Sequence, residues 1–275
     1  MNSNLPTENL LECVCGSTKI KWKKQYQTKW GLVDIGKCHD CGLVRDLIKH
    51  DSNSFYTDSV NIYKPLDDSE FQSQVSGMRR YVSFLEKHIH LKGKVLDVGC
   101  NAGYLVHALS EAGWKSSGVE LVPSVAKSAV SRGLKVFNCK IDELPPEESL
   151  FDLITTTHVL EHISNPSEFL RSIFNHLNPN GYLFIAVPNF SKIATLVYRE
   201  RWNNFLPGQH IWYFERQTLC NLCKTTGFEL LQDEVSINMQ VESQKMFGSL
   251  IKKFLILGMQ LTGDGEELIA LFKKS

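Results

Sequence analysis

The sequence predicts an α/β protein whose large domain is a doubly wound, mostly parallel sheet, preceded by a small zinc-ribbon-like domain. From about residue 69, short apolar runs alternate with amphipathic helical stretches at the spacing of βαβ units. Before that point, closely spaced cysteines occur in two pairs, each followed by glycine. We therefore expect a zinc-binding domain over residues 1–66 and the large domain over residues 67–275.

The large domain begins with a helix over 70–90, whose apolar residues recur at helical spacing. The predicted strands that follow cover 94–100, 115–121, 134–139, 151–157 and 181–188. The predicted helices beside them cover 104–113, 123–133, 165–177 and 217–227. Two last strands, 227–235 and 266–274, enclose a helical insertion. In such a sheet, ligands bind at the carboxyl ends of the strands, near the point where the strand order reverses.

Composition argues against several classes of protein. Thirty basic residues balance thirty acidic ones in the 275-residue chain, so no overall charge attracts nucleic acid or anionic lipid. The polar N-terminus resembles no signal peptide, and no apolar run reaches the roughly twenty residues that span a bilayer. We therefore expect a cytoplasmic protein whose eight cysteines are metal ligands or core residues rather than disulfides.

The N-terminal cysteines have a spacing close to that of structural zinc sites. Cys13 and Cys15 form C-x-C-G, and Cys38 and Cys41 form C-x-x-C-G. Two such turns supply the thiolates for tetrahedral zinc, and the glycines let backbone amides face the sulfurs. The first pair is one residue short, because Glu12 stands where the usual spacing has a cysteine. We expect a closed structural zinc site, with reduced packing cysteines as the alternative.

Two other stretches could also bind a ligand. Cys220 and Cys223 form C-x-x-C, but their stretch has helical spacing, so we expect core cysteines there. Residues 20–30 interleave lysines with aromatics, a pattern that can bind RNA by phosphate contact and base stacking. Because the chain has no net charge, we favour the exposed strands of a zinc ribbon for that segment.

The loop after the first strand of the large domain reads DVGCNAGY and begins at Asp97. Its glycines, Gly99 and Gly103, have G-x-x-x-G spacing, which differs from the G-x-G-x-x-G of dinucleotide-binding loops. Asn101 stands between them, and asparagine visits the left-handed backbone region more readily than most residues. The pattern predicts a ligand-binding loop at the carboxyl edge of the sheet.

Acidic residues follow the next two strands. Glu120 ends the second strand, where a carboxylate can accept hydrogen bonds from both hydroxyls of a ribose. Asp142 follows the third strand, where it can accept from an adenine amino group. Each alone would be an ordinary solvated loop residue. Together with Asp97 they put carboxylates on three successive strand ends, which predicts a site for a ribose and an adenine.

Six stretches, in chain order, resemble class I S-adenosylmethionine-dependent methyltransferases: VLDVGCNAGYLVHAL, GVEL, KIDELP, VLEHISNP, LNPNGYLFIAVPN and HIWYFERQTL. The resemblance covers roughly residues 70–275 and implies a seven-stranded Rossmann-like sheet, S-adenosylmethionine as cofactor and methyl transfer as activity. The cysteine segment resembles the zinc-binding domain fused to bacterial sugar methyltransferases, which implies a sugar or nucleotide sugar as acceptor. The chain departs from that group at Asn101, in its first cysteine pair, and in lacking a long C-terminal domain.

The resemblance also implies that the ends of the first four strands hold the cofactor. Backbone groups of the 99–103 loop would hold the methionine end, and Asp97 would brace the loop. Thr157 and His158, after the fourth strand, would flank the methyl group. The expected cofactor-binding residues are Asp97, Gly99, Cys100, Asn101, Gly103, Glu120, Leu121, Asp142, Thr157 and His158.

An acceptor hydroxyl must lose a proton during methyl transfer, and a positioned base helps. His210, in PGQHIWYF, lies after the fifth strand, and we expect it to be that base or to orient the acceptor, with a structural role as the alternative. No metal-ligating partner lies near it in sequence, and Gln209 adds no carboxylate, so we expect a neutral imidazole. The aromatic residues after it would keep water out of the pocket. His162 and Glu161 are the other catalytic candidates, with a hydrogen bond that holds the loop as the alternative for His162 and a helix-start residue without chemistry as the alternative for Glu161.

Two functions fit these patterns. The first is methylation of a small molecule, most simply a sugar or nucleotide sugar. The second is methylation of rRNA or tRNA, with the zinc ribbon binding the RNA. The neutral charge argues against RNA, and so does TTTH after the fourth strand, where amino-methylating enzymes have an N/D-P-P-Y/F tetrapeptide. We therefore predict a small-molecule methyltransferase.

Overall fold

The computed structural model describes residues 12–48, 66–191, 199–236 and 265–275. In these ranges the helices are α1 (Asp68–His88), α2 (Tyr104–Glu111), α3 (Pro123–Ser131), α4 (Pro166–His176) and α5 (Arg216–Thr225). The strands are β1 (Ile20–Thr28), β2 (Gly31–Cys38), β3 (Val44–Asp46), β4 (Lys94–Val98), β5 (Lys115–Val119), β6 (Val136–Phe137), β7 (Phe151–Thr157), β8 (Leu177–Pro188), β9 (Trp212–Tyr213), β10 (Phe228–Ser236) and β11 (Glu267–Lys274). The helical insertion expected between the last two strands lies outside the described residues.

The large sheet has seven strands in the order β10-β11-β8-β7-β4-β5-β6. Strands β4 to β8 pair in parallel, whereas β11 is antiparallel to both β8 and β10. The prediction of a doubly wound, mostly parallel, seven-stranded sheet is therefore confirmed. The strand order reverses between β4 and β7, which puts the loop after β4 at the switch point.

Alternate residues of the central strands face opposite sides of this sheet. Leu96 and Ile154 belong to the core on one side, and Val95 and Leu153 belong to the core on the other. All four side chains are fully buried. Because both faces are covered, these strands read as nearly continuous apolar runs, and each such side chain contributes about 1.5–3 kcal/mol of burial free energy.

Helix α1 packs on one face of the sheet and begins with a capping box. The Asp67 carboxylate accepts a 2.9 Å hydrogen bond from the Glu70 backbone N–H, and the Glu70 carboxylate accepts a 3.0 Å bond from the Asp67 backbone N–H. The sequence predicts this helix over 70–90. The cap moves its start to Asp68, and it ends at His88.

Two strands differ in length from the prediction over 134–139 and 181–188. Strand β6 has only two residues, because it lies at the edge of the sheet and pairs with β5 only at Val136 and Phe137. Strand β8 begins at Leu177, directly after the last residue of α4. Neither change moves the carboxyl ends of β4, β5 and β7, where the cofactor-binding residues are expected.

The small sheet contains residues from both predicted domains. Strands β1, β2 and β3 form an antiparallel sheet, and β9 extends it by pairing Tyr213 with Val44 and Trp212 with Arg45. A shared apolar cluster lies beside it, made of Tyr26, Val33, Ile35, Val44, Phe190, Trp202, Phe205 and Tyr213. The N-terminal segment is therefore packed directly against the chain that follows His210.

The lysine-rich stretch over 20–30 forms strand β1 and the turn after it, as favoured from the sequence. Trp30 is 58% exposed, but Tyr26 is buried and stacks on Phe205 with ring centroids 4.5 Å apart. One of the aromatics that could have stacked on bases is thus part of the core. Among the described residues, no helix is both long and apolar enough to cross a membrane.

Candidate functional site

The loop after β4 has the backbone conformation that its residue types favour. Gly99, Asn101 and Gly103 have φ angles of 74°, 52° and 84°, all in the left-handed region. Gly99 also needs to be small, since a Cβ atom there would lie 2.5 Å from a side-chain methyl of Val159. This contact joins the loop to the segment after β7, so the two expected halves of the site are neighbours.

The Glu120 carboxylate holds the same loop. Its Oε2 accepts a 3.0 Å hydrogen bond from the backbone N–H of Asn101, and its Oε1 accepts a 2.8 Å bond from the N–H of Val122. Leu121, beside it, is exposed. The carboxylate expected to bind ribose therefore lies at the mouth of the loop, close to Asn101.

Asp97 braces β4 against β7. The Thr155 hydroxyl donates a 2.7 Å hydrogen bond to its Oδ1, and the carboxyl group is fully buried. Burial raises the pKa of Asp97 to about 7, and the nearby charge of Glu120 acts in the same direction, against the Thr155 hydrogen bond. Asp97 thus joins the two strands directly before the loop begins.

The other two expected cofactor residues have different surroundings. Cys100 is buried, and its sulfur would lie 2.5 Å from a Cβ atom at Gly118, so it packs against β5. Asp142 is exposed on a 3-10 turn, where its carboxylate accepts a hydrogen bond from the Ser172 hydroxyl of α4 and lies 3.8 Å from His176 Nδ1. If Asp142 accepts a hydrogen bond from an adenine amino group, its carboxylate must do so while also accepting the hydrogen bond from Ser172 of α4.

The segment after β7 turns sharply at His158, whose φ is 54°. Its ring lies between two buried carboxylates: Nε2 is 2.8 Å from Glu267 Oε1, and Nδ1 is 3.5 Å from Glu161 Oε1. Desolvation lowers the pKa of His158, but the two carboxylates outweigh it and raise the pKa to about 10. His158 is therefore a cation at neutral pH. Thr157, before it, is half-buried at the end of the strand.

Glu161 is the most deeply buried of the predicted catalytic residues, at 1% exposure. It lies on a 3-10 turn from Leu160 to His162. Neither of its carboxylate oxygens accepts a hydrogen bond within the described part of the chain. Burial opposes its ionisation, but the neighbouring histidines His158, His162 and His210 lower its pKa below the usual value. The sequence left open whether this residue only starts a helix, and its burial among three histidines favours a further role.

His210 is buried at 5% exposure, although it follows Pro207 and Gly208 in a connecting segment rather than lying on a helix or strand. Its backbone N–H donates to the Leu206 carbonyl, and its Nδ1 lies 2.7 Å from the Asn204 carbonyl oxygen. Burial lowers its pKa to about 4, with Glu161 acting in the opposite direction, so a neutral imidazole is favoured although a carboxylate lies nearby.

The fold supplies the partners that His210 lacks in sequence. One ligating atom each of Glu161, His162 and His210 lies within 4.8 Å of the others, and the two imidazole rings meet edge to face with centroids 4.7 Å apart. The expectation that His210 has no possible metal-ligating partner is therefore wrong. It failed because Glu161 and His162 precede β8 in the chain whereas His210 follows it. A separation of this length in sequence gives no indication of contact.

Three hydrogen bonds tie the two segments together. His162 Nδ1 donates 2.9 Å to the Gln209 carbonyl, Ile211 N–H donates 2.9 Å to the Glu161 carbonyl, and Trp212 Nε1 donates 2.8 Å to the Ile163 carbonyl. Each is made by or to the main chain. The relative position of these side chains is therefore set by backbone rather than by flexible contacts.

The aromatic residues after His210 do not wall an open pocket as predicted. Trp212 and Phe214 belong to the core of the large domain, and Tyr213 belongs to the cluster shared with the small sheet. All three are buried. Their alternation along β9 explains this, since successive strand residues face opposite sides. They hold the His210 segment in place.

The four N-terminal cysteines converge as predicted. The sulfurs of Cys13 and Cys41 are 3.4 Å apart, those of Cys15 and Cys38 are 3.6 Å apart, and all four lie within 4.8 Å of one another. Tetrahedral zinc with bonds of about 2.3 Å holds sulfurs roughly 3.8 Å apart, so the set fits zinc. The shortened first pair does not prevent convergence.

The glycine after each cysteine pair has the left-handed backbone that the turn needs, with φ of 78° at Gly16 and 76° at Gly42. The other C-x-x-C pair behaves as predicted from its helical spacing. Cys220 and Cys223 lie on α5, and Cys223 is fully buried in the core.

Sequence reasoning missed Glu267. This buried residue on β11 accepts hydrogen bonds from Tyr81 (2.6 Å) and Arg80 (3.0 Å) as well as contacting His158. It lies opposite Pro188 at the carboxyl end of β8, and no motif marks it. A glutamate at the start of an otherwise apolar strand was the available signal.

Comparisons with known proteins find methyltransferases. Residues 71–233 match the family model described as a methyltransferase domain. A ubiquinone biosynthesis O-methyltransferase of Coxiella burnetii is 33% identical over 163 residues, which are 54% of this chain and 70% of that protein. An enzyme of the same name from Marinobacter nauticus is 30% identical over 173 residues, 58% of this chain and 69% of the relative.

Solved structures share the fold at lower identity. The 1,6-didemethyltoxoflavin-N1-methyltransferase of Burkholderia thailandensis, solved with S-adenosylhomocysteine, has a TM-score of 0.57 at 18% identity, covering 86% of this chain and 97% of that one. A methyltransferase of Archaeoglobus fulgidus has a TM-score of 0.55 at 17% identity, covering 74% and 94%. With the matched domain spanning the loop, the acidic strand ends and the histidine cluster, the chain belongs to the class I S-adenosylmethionine-dependent methyltransferases.

Proposed function

We propose that this enzyme transfers the methyl group of S-adenosylmethionine to a hydroxyl oxygen of a small molecule. The observation that carries the proposal is the cluster of Glu161, His162 and His210 at the carboxyl edge of β7. The segment that holds it contacts the cofactor loop through Val159 and Gly99. A sulfonium needs no activation to donate its methyl group, so the groups beside it are available to act on the acceptor.

Residues at the carboxyl ends of β4 and β5 would hold the cofactor. Glu120 already accepts one backbone hydrogen bond on each oxygen, and a carboxylate oxygen can accept a second, so ribose hydroxyls can bind without releasing the loop. The left-handed turns at Gly99 and Gly103 would bring the backbone close to the methionine end. Asp97 would support this loop by its bond to Thr155.

Oxygen is the acceptor atom that agrees best with the relatives and with the site. The matched relatives carry the name O-methyltransferase, and an oxygen nucleophile must lose a proton, which the histidine cluster can promote. With a pKa of about 4, His210 alone is a weak base at neutral pH. We therefore assign it an orienting and activating role within the cluster, where Glu161 stabilises positive charge.

We infer the chemical class of the acceptor from the same relatives. The sugar acceptor implied by the cysteine segment has no counterpart among the named proteins, which act in ubiquinone biosynthesis or on a toxoflavin precursor. A ring hydroxyl of an aromatic or quinone precursor is therefore our first acceptor, and a sugar hydroxyl is the second. RNA is the alternative acceptor, and the test below includes it.

We also propose that Cys13, Cys15, Cys38 and Cys41 hold one structural zinc. The converging sulfurs support this, and they leave no position for a substrate. The zinc would fix the ends of β2 and the turn before β3, which pairs with β9 just after His210. Its role would be to keep the small sheet, and through it the His210 segment, in one conformation.

The test of this function is a search for the methylated product. The purified protein is incubated with S-adenosylmethionine and with separate pools of hydroxylated aromatics, nucleotide sugars and bulk tRNA and rRNA. Products are analysed by mass spectrometry. We expect an O-methyl product from the small-molecule pools, with aromatics first. Methylated RNA as the sole product would overturn the proposal, and so would a product methylated on carbon or nitrogen.

A further inference from the structure

Three side chains with metal-ligating atoms converge beside the cofactor loop. Glu161 and His210 are buried, His162 is half-buried, and their ligating atoms lie within 4.8 Å of one another. This set shares no residue with the cysteine cluster, and it offers nitrogen and oxygen rather than sulfur. Sequence-distant residues that meet in this way need an account of what lies between them.

The hydrogen bonds of the two histidines fix which nitrogen each can offer. Nδ1 of His210 lies 2.7 Å from the Asn204 carbonyl oxygen, and Nδ1 of His162 lies 2.9 Å from the Gln209 carbonyl oxygen. A carbonyl only accepts, so each Nδ1 carries a proton and donates it. The nitrogen that remains for coordination is Nε2 in both rings. Metal-ligating histidines are typically held by such a bond from the other nitrogen.

Glu161 provides the independent observation. Its carboxylate is nearly inaccessible to solvent, and neither oxygen has a hydrogen-bond donor among the described residues. Two ring nitrogens lie at ion-pair distance from its Oε1, His158 Nδ1 at 3.5 Å and His162 Nε2 at 3.9 Å. Burial of a carboxylate without hydrogen bonds is unfavourable, and a coordinated cation removes that penalty.

We propose that Glu161, His162 and His210 bind one divalent transition-metal ion. Two imidazole nitrogens and one carboxylate oxygen suit ions such as manganese, cobalt or zinc better than magnesium. Three protein ligands leave coordination positions open, as in catalytic rather than structural sites. Binding of the ion is independent of the proposed function, whereas its role in methyl transfer rests on that function.

The cluster can close on an ion without moving the backbone. A cation about 2.1 Å from each ligand atom holds those atoms roughly 3–3.5 Å apart, so the side chains must approach by about 1–2 Å. The Glu161 carbonyl is already fixed by Ile211, and the Gln209 carbonyl is fixed by His162. Rotation of the three side chains on this fixed backbone would supply the approach.

His158 does not prevent this rotation. It keeps its 2.8 Å contact with Glu267 when Glu161 turns toward the metal. Glu267 is in turn paired with Arg80 at 2.9 Å. The charges that remain behind are therefore still compensated.

In the reaction, the acceptor hydroxyl would bind at an open position of the ion. Coordination lowers the pKa of a bound hydroxyl, so its proton passes to water and the oxygen keeps the electron pair. That oxygen attacks the methyl carbon. The new carbon–oxygen bond forms as the carbon–sulfur bond breaks, and the bonding electrons go to sulfur. The products are the methyl ether, neutral S-adenosylhomocysteine and one proton.

The experiment uses cobalt as a spectroscopic probe on protein whose cysteine cluster already holds zinc. Cobalt bound by thiolates gives intense sulfur-to-metal charge-transfer bands, and cobalt bound by nitrogen and oxygen gives only weak visible bands. We expect one cobalt per chain with visible bands alone. Glu161→Gln and His210→Gln should each weaken this binding at least about tenfold, since even outer-shell changes cost about 10–100-fold.

The matched control is His107→Gln, which removes a half-buried histidine that lies 3.5 Å from Glu111. It should bind cobalt like the wild type. Affinity for S-adenosylhomocysteine, measured on every variant, shows that each has folded. The proposal would be overturned if the wild type bound no cobalt through nitrogen and oxygen. It would also be overturned if both cluster variants bound cobalt as tightly as the wild type does.

Activity separates this inference from the proposed function. If an O-methylated product is found and chelator-treated protein, free of the second metal, makes it at the full rate, the function stands and the catalytic metal fails. If cobalt binds as expected but no small-molecule pool is methylated, the metal site stands and the proposed function fails.

Discussion

The backbone N–H of Ile211 donates a 2.9 Å hydrogen bond to the carbonyl of Glu161. This bond joins the segment after β7 to the segment before β9, and it is the reason that His210 and His162 meet. The first segment contacts the cofactor loop, and the second extends the small sheet. Cofactor binding, the histidine cluster and the N-terminal sheet are thus linked through one short stretch of main chain.

Cofactor affinity should depend on Glu120. Replacing it with alanine removes the acceptor for the ribose and for the Asn101 backbone, and we expect a loss of about 1.5–3 kcal/mol in S-adenosylhomocysteine binding. Calorimetry on both proteins measures it. Glu111→Ala, an exposed carboxylate at the end of α2, is the control and should bind like the wild type. Equal affinity in Glu120→Ala would remove the assigned ribose contact.

Zinc content should depend on the N-terminal cluster. Cys38→Ser should lose the metal and lower the melting temperature, because a buried ligand of the small sheet is removed. Metal analysis and thermal unfolding measure both effects. Cys220→Ser changes a C-x-x-C cysteine on α5 and should keep full zinc. A wild-type protein that stays free of zinc under metal-replete conditions would refute the site.

The stability of the free protein should respond to pH through Asp97. Burial raises its pKa to about 7, above the unfolded value near 3.8. Its protonated form is therefore favoured by the fold, and this contribution is full below pH 3.8 and is lost as the pH rises through 7. Asp97→Asn keeps an oxygen acceptor for Thr155 and cannot ionise.

The melting temperature of Asp97→Asn, relative to the wild type, should therefore rise between about pH 5 and about pH 8. Thermal unfolding at both values measures it. Asp97→Ala, which also loses the Thr155 bond, is the comparison and should show the same change with pH from a lower melting temperature. A difference between wild type and Asp97→Asn that does not change with pH would contradict the assigned ionisation.

Glu267 should be important for stability although no motif marks it. Glu267→Ala leaves the buried Tyr81 hydroxyl, Arg80 and His158 without their shared carboxylate, and we expect a loss of about 3 kcal/mol or more in the free energy of unfolding. Denaturant unfolding measures it. The control is Arg216→Ala, which breaks the ion pair of the exposed Arg216 with the half-buried Asp233 and should cost less, about 1 kcal/mol. Equal losses would contradict the account.

Local patterns predicted most of the large domain and the cofactor loop. The positive φ of Asn101 and the carboxylate of Glu120 beside it follow from residue types and spacing. The converging cysteines follow in the same way. These features depend on residues close in sequence or on the parallel order of the strands, which the alternation of elements already implies.

The features that escaped prediction depend on contacts between distant segments. Nothing in PGQHIWYF indicates that Glu161 will lie beside His210, or that Tyr213 will pair with Val44 of the small sheet. Burial of His210 is a tertiary property, because it comes from both of these contacts. Glu267 was missed for the same reason, since β11 enters the sheet between β8 and β10.

The most direct measurement compares methyl transfer by the wild type and His210→Ala with an acceptor found in the small-molecule pools. Radiolabelled S-adenosylmethionine gives the rate, and calorimetry gives the affinity for S-adenosylhomocysteine. We expect unchanged cofactor affinity, because His210 contacts the Asn204 carbonyl and the Glu161 cluster rather than the cofactor loop, and a turnover lower by about a hundredfold or more. Equal turnover in the two proteins would show that the histidine cluster takes no part in the reaction.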